Sequence, residues 1–153
     1  MRVLVVDDDE DVRDALVGIL AEEGFSVEAA CDGREALTTL VQPLPDVILL
    51  DWMMPTMDGI EFRGTLLKDP ELARVPVVFL TADPRLTARS GELKANVLCK
   101  PVKVHALVAA LRGAVELAPD RKVDPTLGAR VHRASDDADA SPSVSVPSGH
   151  ASE

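Results

Sequence analysis

Val47-Ile48-Leu49-Leu50-Asp51-Trp52-Met53-Met54-Pro55-Thr56-Met57-Asp58-Gly59 is the stretch on which the fold turns. Four apolar residues in a row, with no polar residue between them, make a strand covered on both faces. A carboxylate ends the run, and a loop with Pro55 and Gly59 follows. Three other runs share this build. Val3-Leu4-Val5-Val6 enters Asp7-Asp8-Asp9, Val77-Val78-Phe79-Leu80 enters Thr81, and Val97-Leu98-Cys99 enters Lys100. Neighbouring parallel strands bring their carboxyl ends to one edge of a sheet. Carboxylates, a hydroxyl and an ammonium would then meet in one place.

Helical segments separate these runs. From Asp9 to Glu23, Val12, Ala15, Leu16, Ile19 and Leu20 mark one helix face, and Gly24 stands where a C-terminal cap glycine belongs. Phe25 to Ala29 reads as a second strand. Asp32 caps a second helix carrying Ala36, Leu37, Leu40 and Val41, which Pro43 and Pro45 end. The third strand is Asp46 to Leu50. Gly59 opens a third helix with Ile60, Phe62, Leu66 and Leu67, and Pro76 starts the fourth strand. A weakly patterned fourth helix covers about Pro84 to Gly91, and a fifth strand runs from Ala95 to Cys99. The last helix, Val102 to Leu117, sets Val104, Leu107, Val108, Leu111 and Val115 on one face.

Five strand-helix units are too few for an eight-unit barrel. The pattern predicts an α/β fold: an open, doubly wound, five-stranded parallel sheet of order 2-1-3-4-5 with five helices, flavodoxin-like. Residues 1–118 form this domain. Residues 119–153, rich in Pro, Ser, Asp and Ala with no apolar period, read as a disordered acidic tail.

Of the 153 residues, 46% are hydrophobic but only 3% aromatic, so the core must be aliphatic. A net charge of −10 and a pI near 4.7 argue against direct binding to nucleic acid or to an anionic membrane. No apolar run approaches the roughly 20 residues that span a bilayer, and the N-terminus has no signal-peptide layout. Cys31 and Cys99 form no CxxC pair, so reduced thiols in a cytoplasmic protein are expected. His105, His132 and His150 have no partner at ligand spacing.

In open α/β sheets, ligands bind where the strand order reverses, here between the strands ending in Asp7, Asp8 and Asp51. Crowded carboxylates repel unless a cation joins them, and Mg²⁺ suits few carboxylates, several waters and a phosphate. Asp51, held by a buried strand, is the candidate nucleophile and could carry a phosphoryl group as an acyl phosphate. Mg²⁺, Lys100 and Thr81 would supply the charge neutralisation and positioning such transfer needs. A calcium loop fails because Val12 holds its glycine position. Asp9 and Asp11 read equally as carboxylates at a helix N-terminus, Thr81 as a helix N-cap, and Met53, Met54 and Met57 as loop packing.

VLVVDDDEDVRDAL, DWMMPTMDG, FLTA and KPV, in this order, resemble the receiver domains of two-component response regulators. The likeness covers about Met1 to Leu117. It implies that Asp51 accepts phosphate from a sensor histidine kinase or a histidine phosphotransfer protein. It implies that Asp8 binds Mg²⁺ directly and Asp7 mostly through water, with Asp51 and the backbone carbonyl of Met53 completing the set. Thr81 would hydrogen-bond the phosphoryl group and Lys100 would pair with its oxygens. A cis Lys100–Pro101 bond and a small Ala82 that leaves access to the phosphate are likewise implied.

Two departures stand out. Val97 occupies the position, three before the lysine, where the family usually has an aromatic residue. The interval from Thr81 to Lys100 is also short by roughly one helical turn. The expected function is a stand-alone receiver that signals by protein contacts and is not a turnover enzyme. The competing readings are a degenerate receiver acting as a constitutive adaptor, and an aspartyl-phosphate hydrolase.

Overall fold

A computed structural model describes residues 1–118 of the chain. The expected disorder of residues 119–153 lies outside the described residues. Five strands, β1 (Arg2–Val6), β2 (Ser26–Ala30), β3 (Val47–Asp51), β4 (Val77–Thr81) and β5 (Asn96–Cys99), form one sheet in the order β2-β1-β3-β4-β5. Every pairing is parallel. The helices are α1 (Glu10–Glu22), α2 (Gly33–Thr39), α3 (Gly59–Leu66), α4 (Ser90–Leu93) and α5 (Val104–Glu116). Short 3₁₀ segments lie at Leu72–Arg74 and Pro84–Arg89.

The unbroken apolar runs behave as their composition requires. β3 and β4 are buried along their whole length, and β1 is buried from Val3 onward. Val3, Val5, Leu49, Val78 and Leu80 meet Leu16 and Leu20 of α1 and Leu107 and Leu111 of α5 on one face. Leu4, Ile48, Leu50 and Phe79 meet Ala36 of α2 and Phe62 and Leu66 of α3 on the other. Each such side chain, fully buried, contributes about 1.5–3 kcal/mol relative to exposure. The two edge strands, β2 and β5, are only partly covered. No helix among the described residues is long and apolar enough to cross a membrane.

Local chemistry sets the element ends. Asp9 caps α1 by accepting the Val12 N–H at 3.1 Å, and Asp32 caps α2 through Glu35 at 2.8 Å. Gly24 adopts φ 87° after α1. Its N–H reaches the Ala21 carbonyl and that of Phe25 reaches Leu20, closing a Schellman motif. Phe25 is therefore buried beneath the end of α1 and β2 starts one residue later.

Several expected core positions face outward. Val41, Leu67, Ile60 and Val104 are 66%, 57%, 36% and 38% exposed. Val41 and Leu67 fall past the last helical turn. Ile60 lies two residues, and so about 200°, from the Phe62–Leu66 face. Val104 opens α5, which starts two residues later than expected, after extended Lys103. The expected fourth helix is split. Pro84–Arg89 is 3₁₀, and only Ser90–Leu93 is α-helical, closed by Lys94 at φ 49°.

Gly59 is the tightest point. A Cβ there would stand 2.9 Å from the Asp51 carbonyl oxygen and 3.1 Å from Phe79. Gly18, inside α1, has nothing within 4 Å. Gly59→Ala should therefore destabilise the domain by about 1–3 kcal/mol, and Gly18→Ala should stabilise it by about 0.5–1 kcal/mol, in urea unfolding. Equal midpoints for both variants would contradict this packing.

Candidate functional site

Strand register delivers the candidate residues to one edge. Val6 pairs with Leu50, Asp51 with Leu80 and Thr81 with Cys99, so the residues ending β1, β3, β4 and β5 lie side by side. Asp7 and Thr81 are 1% exposed and Asp51 is 7% exposed, whereas Asp8 faces solvent. One carboxylate oxygen from each of Asp7, Asp8 and Asp51 lies within 4.8 Å of the others. The Lys100 ammonium bridges two of them, 3.1 Å from Asp7 Oδ2 and 3.3 Å from Asp51 Oδ1.

The backbone holds this arrangement. Asp7 donates its N–H to the Ala30 carbonyl at 3.2 Å, and Asp7 Oδ1 accepts the Asp9 N–H at 3.0 Å. Arg13, one helical turn beyond Asp9, donates from Nη1 to the Asp7 carbonyl at 2.9 Å. The Trp52 N–H binds the Leu80 carbonyl, and the Gly59 N–H binds the Trp52 carbonyl, pinning both ends of the loop after Asp51. A capping box between Asp58 and Glu61 fixes the start of α3.

The loop's side chains divide by polarity of place. Trp52 and Met54 are buried, and Met57 packs against Gly33, so Met54 and Met57 serve packing. Met53 is 70% exposed and lines a shallow cleft with Thr81, Ala82, Asp83, Pro84 and Leu86. Thr81 is not a helix N-cap. That role falls to Asp83, which accepts the Arg85 N–H, while Thr81 Oγ accepts the Asp83 N–H at 3.0 Å. The Thr81 carbonyl takes the Lys100 N–H at 2.7 Å, tying the end of β5 to the end of β4. The Thr81 hydroxyl proton is left to donate elsewhere. Cys31 and Cys99 are free thiols, and His105 is exposed on α5.

Two residues escaped the sequence reading. Arg13 was hidden among polar helix residues, although its spacing from Asp9 returns it toward the loop. Arg89 lies over the Trp52 ring, and no pattern in the sequence announces that contact.

The electrostatics are those of an acid cluster short of positive charge. Burial, then the Asp7 charge, push Asp51 up to about 6, with Lys100 pulling the other way and the Asp8 hydrogen bond adding to the rise. For Lys100, burial acts downward, but the Asp7 hydrogen bond and the charges of Asp51 and Asp7 more than offset it, leaving the ammonium above its ordinary value. Three converging carboxylates with one bridging ammonium fit a hard divalent cation with oxygen ligands.

This geometry has a consequence for stability. Asp51 is harder to ionise folded than unfolded, so its charged form weakens the fold above about pH 6, and the penalty fades as pH falls toward 3.8. Asp51→Asn in metal-free buffer should raise stability at pH 7.5 by about 1–2 kcal/mol, a few degrees in Tm. That gain should shrink toward pH 4.5, and Mg²⁺ should stabilise the wild type at pH 7.5. An unchanged or lowered Tm for the variant at pH 7.5 would refute the uncompensated charge.

Comparison with known proteins gives a consistent answer. Residues 3–112 match the response regulator receiver domain family. The response regulator MprA of Mycolicibacterium vanbaalenii is 40% identical over 115 residues, covering 73% of this chain and 49% of that protein. MprA of Mycobacterium avium is likewise 40% identical, with 50% of its length covered. The chain thus spans about half the length of these curated relatives. Among solved structures, Vibrio cholerae chemotaxis protein CheY4 superposes with a TM-score of 0.66 at 32% identity, covering 74% of this chain and 97% of that one. The Thermotoga maritima response regulator TrrA, solved with Mg²⁺ and BeF, gives 0.65 at 28% identity, with 74% and 97% covered. With the sheet order, the acidic edge and these matches in agreement, the chain belongs to the response regulator receiver domains, the phosphoacceptor modules of two-component signalling.

Proposed function

We propose that Asp51 is the phosphoacceptor, and that its donor is a phosphohistidine on a sensor histidine kinase or a histidine phosphotransfer protein. One observation carries the reading. Asp51 ends a fully buried strand, with two further carboxylates within 4.8 Å and an ammonium 3.3 Å from its Oδ1. An Asp51 carboxylate oxygen would attack phosphorus as the phosphorus–nitrogen bond breaks. The electron pair leaves with the imidazole, and an acyl phosphate remains on Asp51.

Asp7, Asp8, Asp51 and the Met53 carbonyl would hold Mg²⁺. When bound, that ion supplies neutralisation for the charge on the transferring group. Lys100 already stands at the Asp51 carboxylate and would pair with the phosphoryl oxygens. Thr81 keeps a hydroxyl proton to donate. Ala82, exposed and small, leaves the approach open. The domain then acts as an on/off binding module in the cytoplasm rather than a turnover enzyme, reporting through protein contacts. Whether it does so alone or joined to an output domain is decided by the size of the native protein on an immunoblot.

Acetyl phosphate with Mg²⁺ should add one phosphoryl group, read by intact mass. Asp51→Asn and chelation should each abolish labelling, Asp8→Asn should raise the Mg²⁺ concentration that labelling requires, and Lys100→Ala should slow it by about 10²-fold. Equal labelling of Asp51→Asn would show that another residue is the acceptor.

A further inference from the structure

The Pro84–Arg89 segment and α4 have no fully buried residue. Leu86 and Leu93 are only partly covered, against the cluster that contains Trp52 and Phe79. With so little apolar anchorage, this stretch opens more readily than the sheet beside it.

Two contacts tie it to the acidic site. At its start the Asp83 N–H donates to Thr81 Oγ at 3.0 Å. At its far end the Arg89 guanidinium lies 5.8 Å from the centroid of the Trp52 ring. Trp52 directly follows Asp51, is 6% exposed and rests on Phe79 with ring centroids 5.1 Å apart. The indole is therefore held in place. Arg89 also donates to Glu92 Oε2, on the single turn of α4, at 3.1 Å. The guanidinium thus stands between a fixed ring beside Asp51 and a carboxylate of α4. Arg89 makes both contacts at once, a cation on a ring and an exposed ion pair, and each is weak enough for a modest change of field to shift it.

We propose that the Arg89–Trp52 contact is this chain's reporting link, carrying the state of Asp51 to residues 84–94 in place of an aromatic residue at position 97. The proposal rests on Asp51 being the phosphoacceptor. A phosphoryl group there, offset only in part by Lys100 and a bound cation, adds negative charges on the residue that directly precedes Trp52. The guanidinium is drawn toward them, its hold on Glu92 changes, and the loosely anchored segment moves with it. Val97 packs partly against the same cluster but offers neither a ring nor a charge to follow that change.

The test labels the full chain with acetyl phosphate and Mg²⁺, following phosphorylation by mass and the segment by ¹⁵N amide spectra. Trp52 is the only tryptophan, so its emission gives a second readout. The Arg89 side chain is 50% exposed, and Arg89→Ala should fold and label as the wild type does. It should, however, lose the phosphorylation-dependent amide shifts of residues 84–94 and the accompanying emission change. Arg89→Lys, which keeps the cation, should retain them. A full set of shifts in labelled Arg89→Ala overturns the link while leaving the acceptor assignment standing. A wild type that takes no label overturns both.

Discussion

The functional edge of this domain depends on the Lys100 ammonium placed between the carboxylates of Asp7 and Asp51. Both acids end buried strands of a sheet held in register on both sides, so neither can swing away to relieve repulsion. One cation offsets two buried negative charges and a third nearby, and the balance stays on the acidic side. That imbalance is local destabilisation kept for use, a pattern found where structure serves chemistry. It makes the edge receptive to added positive charge and to an electrophilic phosphorus that such charge would accompany.

Rigidity around the acids has a simple origin. Gly59 lets the start of α3 press against the backbone of Asp51 and Trp52, and the Trp52–Gly59 hydrogen bond closes the loop between them. Arg13 does the same for the β1 side by holding the Asp7 carbonyl from α1. Each acid is thus positioned by backbone on one side and by a neighbouring helix on the other. The opposite side of β4 is built differently. There the 3₁₀ segment and α4 meet the core through partly covered Leu86 and Leu93, so the stiff and loose parts of the domain share a border at Trp52.

The sheet was legible in the sequence because unbroken apolar runs such as Val47–Leu50 have few other ways to be buried. The site was legible for a related reason: strand ends in a parallel sheet leave a residue such as Asp51 or Lys100 little freedom of place. Caps at Asp32 and Gly24 also followed from short-range chemistry. What could not be read was tertiary. Helical period alone does not say where a helix stops, so the apolar pattern runs on to Val41 and Leu67, which lie just past the last turn and are exposed. The split at Ser90 reflects weak burial rather than any strong breaker, since Gly91 sits inside α4 and Lys94 ends it. Arg13 and Arg89 act through contacts whose partners lie on other elements, and a charged residue on a helix gives no sign of which carbonyl or ring it meets.

The order of the strands along the chain adds a consequence for biosynthesis. Asp7 and Asp51 emerge from the ribosome long before Lys100, which arrives only after the last strand. A domain generally folds as a unit, so the finished sheet waits for β5 and the lysine that follows it. A nascent chain with β1 and β3 paired but β5 still unmade holds the two acids together without their ammonium. The arrival of Lys100 completes the site and offsets part of the repulsion at that edge.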